Sequence, residues 1–237
     1  MEKAKEVQIP SLETMLEAGV HFGHQVTRWN PKMKKFVFQK KENSHIIDLV
    51  KTQSLLAKAC AHIQDLKKAD KTIMFVGTKK QAVNITKKYA KAVGAPYIIN
   101  RWIGGLLTNY KVVSKNINRL NQLKRDLNSK EFTDKYTKKE VNEFKLEYSE
   151  LMKLYEGVKD LNKLPDAIFI IDAHCERTAL LEAKKKSIPV IAIIDTNGDP
   201  DLIDYPIPAN DDSFKSLELL TNTLATAMGY VEKEQSN

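Results

Sequence analysis

Runs of residues that are apolar at nearly every position constrain this chain more than any other feature. Five short apolar stretches read as strands: Thr72–Gly77, Tyr97–Asn100, Ala167–Asp172, Val190–Asp195 and the brief Tyr205–Pro208. The middle three lack the polar alternation of a half-exposed strand. They suit a parallel sheet covered on both faces. Helical patterns separate most of them, over Lys51–Ala69, Lys80–Val93, Glu176–Ser187 and Phe214–Met228. Thr78 and Gln81 have capping-box spacing, and Gly94 with Pro96 stops the helix that follows. Alternating strand and helix predicts an α/β fold with right-handed crossovers.

Between Asn100 and Ala167 the rhythm breaks, because 66 residues separate two strands that a crossover of a dozen would join. The second half of this stretch spaces Val141, Phe144, Tyr148, Leu151, Tyr155 and Val158 as a coiled-coil seam. The first half offers Val113, Ile117, Leu120, Leu123 and Leu127. The polar stretch Asn128–Lys139, ending in the capping box Thr137–Glu140, lies between them. This predicts an inserted antiparallel helical hairpin over 106–161. The α/β body then comprises 1–105 and 162–230, and 231–237 forms a disordered tail.

Charge is distributed unevenly. Residues 1–160 carry 31 lysines and arginines against 17 acidic residues, a net +14, and 161–237 carry 7 against 13, a net −6. Such asymmetry suggests one region that meets a polyanion and another that stays away from it. Over 19–41, Arg28, Lys32, Lys34, Lys35, Lys40 and Lys41 interleave with Phe22, Trp29, Phe36 and Phe38. Cations neutralise phosphates and flat rings stack on bases, so the mixture suits RNA. The same residues suit a hairpin in which Phe36–Gln39 pairs with His45–Leu49, its aromatics in the core and its lysines solvated.

The chemistry for catalysis is sparse. Gly77-Thr78-Lys79-Lys80 follows the first strand and opens a helix, the right place for a phosphate. Neither of the glycine-rich nucleotide fingerprints is present, and Lys79 and Lys80 serve equally well for a nucleic-acid backbone. His21 and His24 would ligate a metal only if two further ligands converged, and none is spaced locally. Asp172 and Asp195 end strands, where turn-capping explains them, and His174 beside Cys175 has no third partner in the sequence. Cys60 and Cys175 form no ligand or disulfide pattern, which fits a reducing compartment. The chain has no apolar run of about 18 residues and no apolar signal core at its N-terminus, so neither membrane insertion nor secretion is expected.

One motif remains, Asn100-Arg-Trp-Ile-Gly-Gly-Leu-Leu-Thr-Asn109. It places Arg101 and Trp102 beside Gly104 and Gly105, a pair that lets backbone approach another surface closely. With it stand Glu17-Ala-Gly-Val-His-Phe-Gly-His24, Arg28-Trp-Asn-Pro-Lys-Met33, His45-Ile-Ile-Asp-Leu49, Phe75-Val-Gly-Thr-Lys79, Leu164-Pro-Asp-Ala167 and Ala192-Ile-Ile-Asp-Thr-Asn197 with Asp199-Pro-Asp201. In this order and spacing, from about residue 10 to residue 228, the set closely resembles the bacterial-type small-subunit ribosomal protein S-two family.

The resemblance implies a flavodoxin-like parallel sheet with a projecting coiled-coil hairpin. It implies a structural, non-catalytic constituent of the cytoplasmic small ribosomal subunit that acts in translation. Its partners would be small-subunit ribosomal RNA, neighbouring ribosomal proteins and, in many bacteria, ribosomal protein S-one. No cofactor, metal or membrane is expected. The residues expected to meet RNA are His21, Phe22, His24, Arg28, Trp29, Lys32, Lys34, Lys35, Lys79, Lys80, Arg101, Trp102, Gly104, Gly105 and Asn109. Ile103 and Tyr110 depart conservatively from the family pattern, and Ala173-His174-Cys175 departs more. The competing readings are a flavodoxin-like nucleotide-binding or receiver-type enzyme, and a coiled-coil interaction module whose basic charge is incidental.

Overall fold

The computed structural model describes residues 7–231. Helix α1 (Leu12–Glu17) starts at Ser11, whose hydroxyl accepts from the Thr14 amide. Strand β1 (Phe22–Gln25) follows, then two short 3-10 turns over 26–28 and 31–36, then β2 (Val37–Lys41) and β3 (Ser44–Ile47). These strands form a small antiparallel sheet in the order β1-β3-β2. The hairpin expected from Phe36 onward is therefore present, with Lys40 opposite His45. Its aromatics divide: Phe36 is buried, whereas Phe38 remains 68% exposed.

The remaining elements build the body. They are α2 (Leu49–Lys68), β4 (Ile73–Val76), α3 (Lys80–Val93), β5 (Tyr97–Ile98), α4 (Tyr110–Leu127), α5 (Lys130–Lys135), α6 (Lys138–Tyr155), β6 (Ala167–Ile171), α7 (Arg177–Lys185), β7 (Val190–Ile194), β8 (Tyr205–Pro208) and α8 (Phe214–Ala227). The five strands β4 to β8 pair in parallel in the order β5-β4-β6-β7-β8, with Phe75 opposite Phe169 and Ile193 opposite Ile207. Side chains two apart point to the same face, so the sheet divides the interior into two cores. Ile73, Phe75, Phe169, Ile171 and Ile193 pack against α2, α3 and α8. Met74, Val76, Ile168, Ile170 and Ala192 pack on the other face, against α7, the loop after β5 and the start of α4. This is a three-layer α/β arrangement, and its double coverage explains why the strands are apolar throughout.

Both outer strands are modest. Strand β5 is only two residues long, shorter than the stretch to Asn100 that the sequence suggests. At the opposite edge, β8 carries Pro206 and Pro208, and the β7 side is served by non-proline positions such as Ala209, whose amide donates to the Ile194 carbonyl.

Local signals were used unevenly. Asp48 caps α2 through the amides of Val50 and Lys51, so that helix begins earlier than expected. Thr137 and Glu140 form the expected capping box. Thr78 does not cap α3: the position falls to Lys79 without a side-chain bond. The Thr78 hydroxyl donates to buried Glu176 at 2.5 Å.

Helices α4 and α6 pack along one another. Every member of the anticipated seam is at least half-buried, and burial deepens toward Tyr155 and Val158, where Leu106 and Leu161 join the core. Arg119 grips Glu147 with two bonds of 2.8 and 2.7 Å. The polar stretch 128–139 contains α5, and rings from Phe132, Tyr136 and Phe144 meet there at 4.6–5.4 Å between centroids. That apolar cluster gives the connection an anchor its composition did not suggest. The expected tail lies, apart from Val231, outside the described residues.

Candidate nucleic-acid interface

Loops that follow the parallel strands bring positive side chains to the carboxyl end of the sheet. The first is the segment after β5. Trp102, Leu106 and Leu107 are buried in the second core and hold this loop from beneath. Its polar atoms converge on Glu182 of α7. One carboxylate oxygen accepts from the Trp102 indole (3.0 Å) and the Gly105 amide (2.7 Å). The other accepts from the amides of Leu107 and Thr108 (3.1 Å each) and from the Thr108 hydroxyl (3.0 Å).

Burial opposes the Glu182 charge, yet the donors from Trp102, Gly105 and Thr108 outweigh it and hold the carboxyl below its ordinary range. Gly105 reaches this arrangement with φ +85°, in the left-handed region that favours glycine. Gly104 faces outward, and nothing lies within 4 Å of where a side chain would begin. Arg101 stands exposed with no acidic partner among the described residues. Asn109 is exposed at the start of α4, and its side chain caps nothing. Between this loop and the strand ends runs an open cleft of about 480 Å³, lined by Thr78, Asn100, Arg101, Gly104 and Glu176 among others.

The second group comes from 21–36, held against the loops after β7 and β8. The Asn30 amide donates to the Thr196 carbonyl at 2.7 Å. The His24 amide donates to Asp195 and to the Thr196 hydroxyl, and the ring Nδ1 lies 2.9 Å from Asp195. The Asp195 hydrogen bond prevails over burial, and His24 is held above its ordinary pKa. His21 is shifted the other way, by burial and by Lys41. Trp29 is half-buried with its ring 4.7 Å from that of His45. Lys32 lies 2.9 Å from both Asp199 and Asp201, so its charge is met within the chain. Arg28, Lys34 and Lys35 are exposed with no acidic partner among the described residues, and so is Lys80 at the head of α3. Phe22 is exposed too. With Leu16, Phe38 and Val50 it borders an apolar groove of about 410 Å³.

Lys79 lies at the centre of the strand ends. Its ammonium is 2.6 Å from Asp211 and Asp212 and 3.4 Å from Asp172, largely out of solvent. These carboxylates raise its pKa against the effect of burial. Asp172 adopts φ +65° at the end of β6 and accepts the amides of His174 and Cys175. Burial and the charges of Asp172 and Asp195 outweigh Lys79 at Asp211 and push its carboxyl up to about 7. One oxygen of Asp211 is buried without a hydrogen-bond partner. His24, Asp195 and Asp211 bring ligand atoms within 4.8 Å of one another, a set that could hold a divalent cation. The two extra ligands that His24 lacked locally are thus supplied by segments some 170 and 190 residues away in the chain.

The expected residues therefore form neither one cluster nor one state: the loop after β5 stands at one edge of the sheet, segment 24–36 lies against the loops after β7 and β8, and His21 and Phe22 line a separate apolar groove. Arg101, Arg28, Lys34, Lys35 and Lys80 are free positive groups, whereas Lys32, Lys79 and His24 are engaged by carboxylates. Part of the charge asymmetry is satisfied internally, as the acidic C-terminal third neutralises the basic N-terminal part. Glu182 carries the greatest organising role in the loop, yet the sequence reading passes over it. No local signal distinguishes it from an ordinary helical glutamate.

A family model described as Ribosomal protein S2 matches residues 15–230. The small ribosomal subunit protein uS2 of Coprothermobacter proteolyticus is 45% identical over 220 residues, covering 93% of this chain and 82% of that protein.

Proposed function

The chain belongs to the ribosomal protein S2 family, and from that premise we propose that ribosomal RNA meets it at the carboxyl end of the parallel sheet, first of all at Arg101. As a member of that family it is a structural, non-catalytic constituent of the small ribosomal subunit, acts in translation and is cytoplasmic. The nucleotide-binding or receiver-type enzyme is set aside on the same ground.

The observation that carries the RNA face is the uncompensated Arg101 on a loop whose buried half is fully bonded to Glu182. Phosphate contacts are favoured by exposed cations and gain from rigid presentation. Gly104 and Asn109 flank Arg101 without obstruction, and Trp102 and Gly105 hold the loop from within. Arg28, Lys34, Lys35 and Lys80 extend the positive surface. Lys32, Lys79 and His24 support it from behind, because their charges are already paired. Trp29 shapes the segment from its half-buried position. Reconstitution of small subunits with Arg101→Glu tests the face: the variant is expected to incorporate poorly while its unfolding midpoint stays put, and full incorporation would remove Arg101 from it.

The finer family features follow the same reading. The strand order, second-first-third-fourth-fifth along the sheet, supports a flavodoxin-like body over 1–105 and 162–230. The half-buried seam and the Arg119–Glu147 pair support an antiparallel coiled-coil arm over 106–161. His21 and Phe22, lining the apolar groove with Phe38 and Val50, suit a protein neighbour better than RNA, and ribosomal protein S-one is the candidate. Phe38→Asp is expected to abolish S-one retention on the subunit while RNA-driven incorporation persists.

A further inference from the structure

We infer that Glu182 is the positioning residue of the RNA face, its carboxylate filling the anion-binding nest of loop 101–108 so that the loop offers Arg101, and not its backbone amides, to RNA. The inference rests on the assignment of Arg101 to RNA and goes beyond it by naming what sets that arginine's place. Inward amides from Gly105, Leu107 and Thr108 converge, while the Leu106 amide turns to the Ile103 carbonyl, and together they form the kind of concavity that binds phosphate in other proteins. Here an internal carboxylate occupies it, from a helix packed on the opposite side of the loop. A carboxylate offers roughly four lone-pair sites, and five donors are within reach. No capacity remains for another partner, and no amide in the nest remains for an external phosphate.

The directions of the groups make the brace specific. Trp102 is 8% exposed with its indole bonded to Glu182, whereas its immediate neighbour Arg101 is exposed to solvent. Gly105 at φ +85° turns its amide inward, and Leu106 and Leu107 seal the floor at 0% and 1% exposure. A neutral side chain of the same size would have to point an NH2 group at one of these donors. The loop would then rearrange even where the rest of the body stayed folded.

The test is a double-mutant cycle in the full-length protein, with E182Q, R101Q and both together, titrated against naked small-subunit ribosomal RNA where each protein is folded. E182Q is expected to weaken binding roughly tenfold, the scale of a lost specific contact. That loss should nearly vanish in the R101Q background, and amide exchange at Gly105, Leu107 and Thr108 should accelerate. A role confined to stability would lower the unfolding midpoint and leave affinity unchanged. E182Q binding as tightly as wild type beside a weakened R101Q, or an equal loss with and without Arg101, overturns the inference while the RNA face stands. Unchanged binding by R101Q overturns the RNA face and the inference with it. If E182Q does not fold, T108V in the same cycle decides the matter. It removes one hydroxyl donor and is expected to cost about threefold, again only when Arg101 is present.

Discussion

The loop after β5 and the basic segment 28–36 carry the same kind of charge at the same end of the sheet, yet they are built in opposite ways. In the loop, the acidic residue is buried and spent on the backbone, which leaves the arginine free. In the segment, the acidic residues are at the surface and spent on a lysine, so Lys32 is neutralised by Asp199 and Asp201. Counting cations along the sequence treats Arg101 and Lys32 alike. What a carboxylate binds, rather than how many lie nearby, decides which cation remains for a polyanion.

The largest contrast expected between the two regions is in stability. Glu182→Leu leaves several buried donors unsatisfied, each costing about 1–3 kcal/mol, so denaturant unfolding should register a loss on the order of 3 kcal/mol or more. Lys32→Gln breaks only exposed pairs and should leave the midpoint almost unmoved. A destabilised Lys32 variant beside an unaffected Glu182 variant would invert the comparison. RNA binding should separate the regions next. Arg101→Gln is expected to weaken affinity roughly tenfold, whereas Lys32→Gln exposes two aspartates and should lose only a fraction of that. Equal losses would mean that the pairing of Lys32 opens when RNA arrives.

A smaller effect sharpens the picture within the basic segment. If Lys34 and Lys35 each neutralise a phosphate, replacing both with Gln should flatten the slope of log K against log salt by less than about two units. An unchanged slope would class both as solvated lysines.

The smallest effect is in pH. Asp211 and His24 both have folded pKa values above their unfolded ones, so the folded cluster holds extra protons. The stability they contribute is fully present below the unfolded values and is lost as pH rises through about 7 for Asp211 and through the raised value for His24. The thermal midpoint should therefore drop modestly between pH 6 and 8, and Asp211→Asn should shrink the drop. A midpoint that rises over this range in the wild type would show that the cluster titrates in the other sense.

The sheet is legible in the sequence because burial on both faces writes itself into consecutive residues such as Ile168–Ile171 and Ile191–Ile194. The loop is legible as a motif because Trp102, Gly104 and Gly105 are uncommon neighbours with steric roles. Glu182 is not legible. It lies in Leu181-Glu-Ala-Lys184, a string typical of a solvated helix face, and its partners lie some 75 residues away. The Lys79 and His24 clusters are hidden for the same reason, since each joins strand ends that only the parallel topology makes neighbours. The apparent cap at Thr78 misleads because the cap position falls one residue later, at Lys79, while the Thr78 hydroxyl donates to Glu176, distant in sequence. The connection between α4 and α6 misleads in the other direction: Phe132 and Tyr136 look isolated among charges until Phe144 folds back onto them.

The prolines of β8 bear on the life of the chain before assembly. Amides of alternate residues in a strand point to opposite sides, and the Ala209 bond to β7 places the donors of the odd-numbered positions inward. Pro206 and Pro208 therefore sit where an incoming strand would seek its donors, and they have none to give. At the other margin, β5 is too short to template much. A newly made ribosomal protein waits in a crowded cell for its RNA, with part of its positive charge still unpaired. Both borders of its sheet offer a second copy little to pair with, a guard against edge-to-edge growth.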